Sequence, residues 1–341
     1  MITKIRIQNF RSFVDAEVKL RPFALVVGAN GAGKSNFIRV ISASSFGHSN
    51  SLTRTTDRKK AFVIQNVWTR HVNYIGADAK VVFEFLANEN GDQSSIECIA
   101  DVQGSLSIPS EGIPWATSVI TPYMIDANNV SGVETVVTNP VVGASGSGTV
   151  QVLESLKNGD REDLFDKIED TFKRYVPEVE KLSLRTVDKG KKQIQVREKS
   201  LNQLLPATEL SEGTRIILCL LTILHQENPP PIILLEDIDR GLHPRLFEYM
   251  VPIMRDIAER HGINILATTH NPYLVDCFQD DKEAVVIVEK KDGASTLTTL
   301  ADRLKDVDYD SVDPEDLPLG SLWFTGHVGG VPAKINLRPG K

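Results

Sequence analysis

Cysteine is scarce in this sequence of 341 residues, which holds three, Cys98, Cys219 and Cys277. They form no CxxC pair and no Cys/His metal spacing, so a disulfide scaffold and a structural zinc site are excluded, and small buried thiols in a reducing compartment are expected. Long apolar runs are missing too. The longest, Ile216 to Leu224, is about half of what a bilayer span needs. The opening MITKIRIQNFRSF alternates charged and apolar residues and lacks the apolar core of a signal peptide. The expectation is a cytoplasmic protein without a membrane partner. Sustained heptads are also lacking, which excludes long coiled-coil arms. Nor is there an excess of basic charge. A formal charge of −7 and a pI near 5.6 argue against a protein that coats nucleic acid, because neutralising phosphates needs clustered cations. What basic charge there is gathers at Thr53 to Lys60, with Arg54, Arg58, Lys59 and Lys60, which reads as a solvated loop or, alternatively, a DNA contact.

Such a length can bury a sizeable core. Short strands are expected over Ile5–Phe10 and Val18–Leu20, and a continuous apolar strand over Phe23–Val27. A helix follows from Lys34 to Ser45. Between residues 61 and 125 the pattern is strand-like, as where Val81, Phe83 and Phe85 alternate, with a turn at Glu89 to Asp92. The Gly/Ser-rich run Pro140–Thr149 suggests a flexible connection. Helical sequence then runs to Tyr175, and a hairpin is expected around Lys189 to Lys191. Beyond Leu210, apolar strand and helix alternate: helix Gly213–Gln226, strand Ile232–Leu235, helix Pro244–His261, strand Asn264–Ala267, helix Pro272–Phe278 and strand Ala284–Val288. This alternation indicates a mainly parallel α/β sheet. The expected fold is one α/β head. Its core comes from residues 1–45 and 205–300, with an antiparallel β layer over 46–135, a compact, mainly helical lobe over 136–205, and an acidic linker and tail over 301–341.

Two motifs carry chemistry by themselves. Gly28-Ala-Asn-Gly-Ala-Gly33-Lys34-Ser35 is a complete GxxxxGK[ST] loop between an apolar strand and a helix. Backbone N–H groups of Gly28, Asn30, Gly31, Ala32 and Gly33 can curl round a phosphate, Lys34 adds a cation near the β and γ phosphates, and Ser35 offers a hydroxyl to Mg²⁺. ATP and Mg²⁺ are the expected ligands. Ile232-Ile-Leu-Leu235-Glu236-Asp237 is an apolar strand ending in two carboxylates, which a cation or an attacking water would require. Glu236 is assigned to the Mg²⁺ shell and Asp237 to orienting or deprotonating the water.

Leu210-Ser211-Glu212-Gly213-Thr214, read alone, is an ordinary helix cap. Beside the first two motifs it resembles the LSxGQ signature of the ABC ATPase superfamily. That resemblance implies that Ser211, Glu212 and Gly213 face the γ-phosphate held by a partner subunit. It also implies that His270, in Ala267-Thr-Thr-His-Asn-Pro, is the switch histidine, and that Asp239 opens the D-loop ahead of Gly-Leu-His243-Pro244. His243 itself reads as structural. Ile7-Gln-Asn-Phe-Arg-Ser-Phe13, Asn36 after the phosphate loop, the form Leu-Ser-Glu-Gly-Thr-Arg215 and Thr-Thr-His-Asn-Pro272 look like the RecF/SMC/OLD-like group of these ATPases, over residues 1–45 and 205–290. For that group the resemblance implies Arg11 at the nucleotide, a self-paired dimer or higher homo-oligomer, and work in DNA repair or anti-phage defence with a separate nuclease or toxin effector.

Three departures qualify the resemblance. The usual Asp-Glu pair is Glu236-Asp237 here, which shortens the base and puts the hydrolysis rate in question. The Q-loop glutamine has no assignment between Gln65 and Gln151. No clustered acidic nuclease pattern follows His270, so a Toprim domain is not expected. Three other readings stand beside the ATPase: an ATP-gated scaffold with negligible turnover, a transporter subunit, and a nuclease using the acids of Asp302 to Asp316.

Overall fold

The computed structural model describes residues 1–43, 52–54, 61–64, 78–86, 93–100, 105–107, 120, 122–201, 203–307 and 317–332. In chain order the first half contains β1 (Ile2–Phe10), β2 (Phe13–Lys19), β3 (Phe23–Gly28), α1 (Lys34–Ala43), β4 (Leu52–Arg54), β5 (Ala61–Ile64), β6 (Ala79–Leu86), β7 (Gln93–Ala100) and β8 (Ser105–Ser107). Next come α2 (Ala127–Val130), β9 (Glu134–Thr135), α3 (Thr149–Asn158), α4 (Glu162–Tyr175), β10 (Val179–Asp188), β11 (Lys191–Glu198), β12 (Leu204–Pro206) and α5 (Glu212–His225). The last part holds β13 (Ile232–Leu235), α6 (Phe247–His261), β14 (Asn264–Thr268), α7 (Pro272–Asp276), β15 (Val285–Lys291), β16 (Ala294–Thr299), α8 (Leu300–Leu304) and α9 (Leu319–Phe324). Two compact units result, residues 1–120, 231–234 and 258–341 in the first, and residues 121–230 and 235–257 in the second.

The first unit is built on two sheets. One runs β13-β14-β3-β15-β16, with β14, β3 and β15 parallel and β16 antiparallel at the edge. Its central strand β3, Phe-Ala-Leu-Val-Val-Gly, is buried at every position, which is why it reads as an unbroken apolar run. The other sheet is antiparallel, in the order β2-β1-β6-β7-β8-β5-β4. There the period of two is visible: Ile5 and Ile7 of β1, Phe13 of β2, and Val81 and Phe83 of β6 are buried in the same core as Phe37, Ile38 and Ile41 of α1. Buried Asn264 ties the two ends of the unit together, accepting from the Ile2 amide at 2.6 Å and donating to the Ile2 carbonyl at 2.9 Å. The turn at Glu89 to Asp92 and most of the basic stretch Thr53–Lys60 lie outside the described residues.

The second unit combines helices with a small sheet. Helices α3, α4 and α5 share it with a four-stranded sheet in which β10, β11 and β12 are consecutive neighbours and β9 pairs with β11. Lys191 of β11 pairs with Asp188 of β10 across the expected hairpin. Helix α4 buries Phe165, Ile168 and Phe172, the i, i+3, i+7 stripe of an amphipathic helix, against its neighbours. Its acidic first turn and basic last turn complement the helix dipole. The Gly/Ser-rich run before α3 is tied down rather than slack: Thr149 Oγ1 donates to the Gly146 carbonyl at 2.7 Å and lies 3.4 Å from the buried Cys219 Sγ. Small residues there permit close packing, a use that composition alone does not distinguish from flexibility.

Candidate functional site

The phosphate loop leaves the carboxyl end of β3 and enters α1. Helix α1 has no acidic residue in its first turn, so the positive end of its dipole is left for an anion. Lys34 is buried, and its Nζ donates to the carbonyls of Gly28 at 2.8 Å and Ala29 at 3.2 Å, folding the ammonium across the loop. Asn30, Gly31 and Ser35 are exposed on the loop and the first turn of α1. Gly33 has a φ of +123°, and a Cβ there would lie 2.7 Å from Ser295 Oγ, so no other residue fits without displacing that serine.

A polar network braces the loop from beneath. Arg11, at φ +52°, donates through Nη1 to Asn36 Oδ1 at 2.8 Å, and Asn36 Nδ2 donates to Ser12 Oγ at 3.1 Å. From β16, the Ser295 amide donates to the Ser12 carbonyl at 2.6 Å, and its hydroxyl donates to the Ala32 carbonyl at 2.6 Å. Burial, then the neighbouring Arg39, pushes the Arg11 guanidinium below its usual range. Arg11 and Asn36 are thus brought together at the root of the phosphate loop. Sequence reasoning does not single out Ser12, in the turn between β1 and β2, or Ser295, in β16, since a lone serine carries no signal.

His270 follows β14 by two residues and is exposed. Its predecessor Thr269 donates its amide to the Val26 carbonyl at 3.2 Å, which sets the histidine segment beside the strand that feeds the phosphate loop. Asn271 then caps α7, accepting from the Tyr273 amide at 3.0 Å.

The second unit holds the other motifs. After β13, the Glu236 amide donates to the Tyr123 carbonyl at 2.9 Å, and Tyr123 bridges Leu235 in parallel. Burial pushes the Tyr123 phenol up to about 12. Asp237 is held at φ +48°, a left-handed conformation that aspartate tolerates better than most residues, and its carbonyl accepts from the Arg240 amide at 2.9 Å. Asp239 accepts from the Leu242 amide at 3.2 Å within the same turn. Ser211 caps α5, with Oγ 3.2 Å from the Thr214 amide and 2.7 Å from Thr214 Oγ1. Glu212 is exposed beside it, and a Cβ on Gly213 would lie 2.6 Å from the Gly241 carbonyl oxygen. The signature and the turn opened by Asp239 therefore meet backbone to backbone. Arg215, four residues after Ser211, holds α2 through the Ala127 carbonyl, Asn128 Oδ1 and Ser131 Oγ at 3.1 to 3.3 Å. His243 Nδ1 accepts from the Arg245 amide at 3.3 Å. Of the two Q-loop candidates, Gln65 lies outside the described residues and Gln151 sits in the first turn of α3, donating its amide to Glu134.

Among the described residues, no three His, Cys, Asp or Glu side chains are grouped to hold a metal ion, and no helix is long and apolar enough to cross a membrane. Residues 1–102 match the family described as AAA ATPase domain, and residues 151–276 match the family described as AAA domain, putative AbiEii toxin, Type IV TA system. No curated protein matches the sequence. Among solved structures, the SmcHead bound to the C-winged helix domain of ScpA is similar at 15% identity and a TM-score of 0.59, over 87% of this chain and 97% of that one. The Smc head domain with a coiled coil and joint from Pyrococcus yayanosii has 11% identity and a TM-score of 0.57, over 89% and 99%. The Smc head domain with an extended coiled coil from Pyrococcus furiosus, bound to the C-terminal domain of ScpA, has 14% identity and a TM-score of 0.54, over 89% and 98%. At these identities the likeness is one of fold.

Proposed function

The chain joins AAA-family ATPase sequence to the fold of SMC heads, consistent with an SMC/RecF-like ABC-type ATPase, and on that premise we propose that it binds and hydrolyses Mg-ATP between two subunits. The phosphate loop of one subunit faces the Ser211–Gly213 signature of the other. The observation that carries this reading is the folded-back Lys34, whose ammonium rests on two backbone carbonyls at 2.8 and 3.2 Å. Phosphate oxygens are stronger, charged acceptors, and the lysine exchanges carbonyls for them when nucleotide enters.

Roles follow for the remaining residues. Backbone amides from Gly28 to Gly33 cradle the phosphates. Ser35 and Glu236 are the residues that would hold Mg²⁺, a hard cation that takes few protein oxygens beside substrate phosphates. The chemistry such an ion would supply is neutralisation of charge on the phosphates. Asp237 orients or deprotonates the attacking water, and His270 contacts the γ-phosphate. Arg11 acts through Asn36 at the root of the loop. Across the interface, Ser211 and the amides at the start of α5 complete the γ-phosphate site, with Asp239 beside them.

The biological setting that fits is a sensor or motor subunit of a DNA-repair or anti-phage defence complex, with a separate nuclease or toxin effector. The toxin–antitoxin description of the family matching residues 151–276 supports that setting. Phosphate release from Mg-ATP by the parent and by Lys34→Ala tests the reading. A loss of about 100-fold in the variant is expected, and equal release by both contradicts it. One observation favours a second reading, an ATP-gated scaffold: Asp237 is a short base on a left-handed residue. Lys34-dependent binding without phosphate release would select that alternative.

A further inference from the structure

Within the first unit, α9 and the turn after it reach two parts of the nucleotide machinery at once. At its start, Gly320 presses on α7, the helix that begins two residues after His270. A Cβ on Gly320 would lie 2.0 Å from the Pro272 carbonyl oxygen, and the Gly320 amide donates to Asp276 Oδ1 at 2.7 Å. Leu319, Leu322 and Trp323 are buried, so the helix is anchored in the core.

At its other end the chain turns back through Gly326, Gly329 and Gly330. The Gly330 amide donates to Glu289 Oε1 at 2.7 Å, while Arg303 pairs with the other oxygen of the same carboxylate. Gly330 has a φ of +72°, and a Cβ there would lie 2.6 Å from Ile287 Cγ2, 3.2 Å from Trp323 Nε1 and 3.8 Å from Gly28 Cα, the first residue of the phosphate loop. Gly330, Val331 and Pro332 form one wall of an open pocket of about 280 Å³, and Ala29 to Ala32 of the phosphate loop form another.

Both contacts are made by bare backbone in close-packed surroundings, which pass on a displacement instead of absorbing it. We propose that Leu319–Pro332 is a positioning strap for ATP turnover, joining the flank of the phosphate loop to the helix behind His270. Gly330 is its positioning residue for nucleotide binding and Gly320 its positioning residue for the hydrolytic step. This inference rests on the reading of Lys34 and His270 as ATP-site residues. A methyl group on Gly330 must move Ile287, on the strand paired with β3, or the wall beside the phosphate loop. A methyl group on Gly320 must move Pro272, and His270 with it.

The test uses the full chain, with Mg-ATP affinity from calorimetry, steady-state phosphate release, and Lys34→Ala as the blank. Gly330→Ala is expected to weaken affinity about tenfold while kcat stays within about threefold. Should Gly330→Ala fail to fold, Glu289→Ala, which removes the acceptor of the Gly330 amide, carries the same expectation. Gly320→Ala is expected to lower kcat about tenfold with affinity kept. Should Gly320→Ala fail to fold, Asp276→Ala, which removes the acceptor of the Gly320 amide, carries the same expectation. The strap is overturned if the folded variants keep the parent's affinity and kcat, or if both quantities fall together in proportion to the folded fraction. A parent whose ATP binding does not depend on Lys34 overturns the ATP-site reading itself. A parent that binds without turnover leaves the affinity of Gly330→Ala to decide.

Discussion

Ser295, 263 residues further along the chain than Ala32, donates its hydroxyl to the Ala32 carbonyl at 2.6 Å and fills the space that a side chain at position 33 would need. The phosphate loop is therefore shaped from below by a strand near the other end of the sequence. Removing the hydroxyl leaves a loop carbonyl without its donor and a gap under Gly33. Ser295→Ala should cost about 1–2 kcal/mol of stability, measured by denaturant unfolding, and should weaken Mg-ATP affinity about tenfold. Unchanged affinity in a fully folded variant would show that the brace is dispensable.

The signature glycine makes a different kind of contact. Because a Cβ at Gly213 would meet the Gly241 carbonyl at 2.6 Å, Gly213→Ala must push α5 away from the turn that contains Asp239. Overpacking of this sort costs about 1–3 kcal/mol, which a thermal melt will register. Turnover should fall more than Mg-ATP affinity does, since Lys34 and its loop are untouched. A variant with weakened affinity and normal kcat would go against this assignment.

Burial pushes the Cys98 and Cys219 thiols up to about 12. Cys277 is only half-buried, so a thiol reagent at pH 8 should label one cysteine per native chain and all three after denaturation. The sign of the linkage follows. The folded state holds these two protons more tightly than the unfolded chain does, so stability is fully present below the ordinary thiol pKa and falls as pH rises from about 9 toward 12. Replacing both thiols with alanine should flatten that decline, as judged by denaturant midpoints across the range.

The phosphate loop and the carboxylate-ended strand can be located in sequence because each is a run of consecutive residues with its own spacing, whereas Leu210–Thr214 reads alone as a helix cap, which is also the geometry Ser211 adopts. The strand before the loop is equally legible, since β3 is buried on both faces and every residue from Phe23 to Val27 is apolar. What escapes are single polar residues brought in from far away. Ser12, Tyr123 and Ser295 stand in strand-like or loop sequence with no pattern of their own. The left-handed Asp237 is hidden as well, because backbone conformation at a non-glycine residue leaves no compositional trace. In the second unit, the hairpin at Lys189 to Lys191 is announced by its turn residues, whereas β9 is two residues long and joins the sheet through a pairing that local sequence cannot supply. Gly320 and Gly330 read as loop punctuation until their close contacts are seen.

Completion of the proposed nucleotide site by a second copy of the chain is tested most directly by mass in solution. Asp237→Asn, expected to suppress turnover on the proposed role of that carboxylate, is weighed by light scattering with and without Mg-ATP, beside Asp237→Asn carrying Ser211→Arg. The account predicts that Mg-ATP converts monomer to dimer, or tightens a larger assembly, and that Ser211→Arg abolishes the shift while ATP binding persists. Mass that ignores nucleotide, or a shift that survives Ser211→Arg, would contradict it.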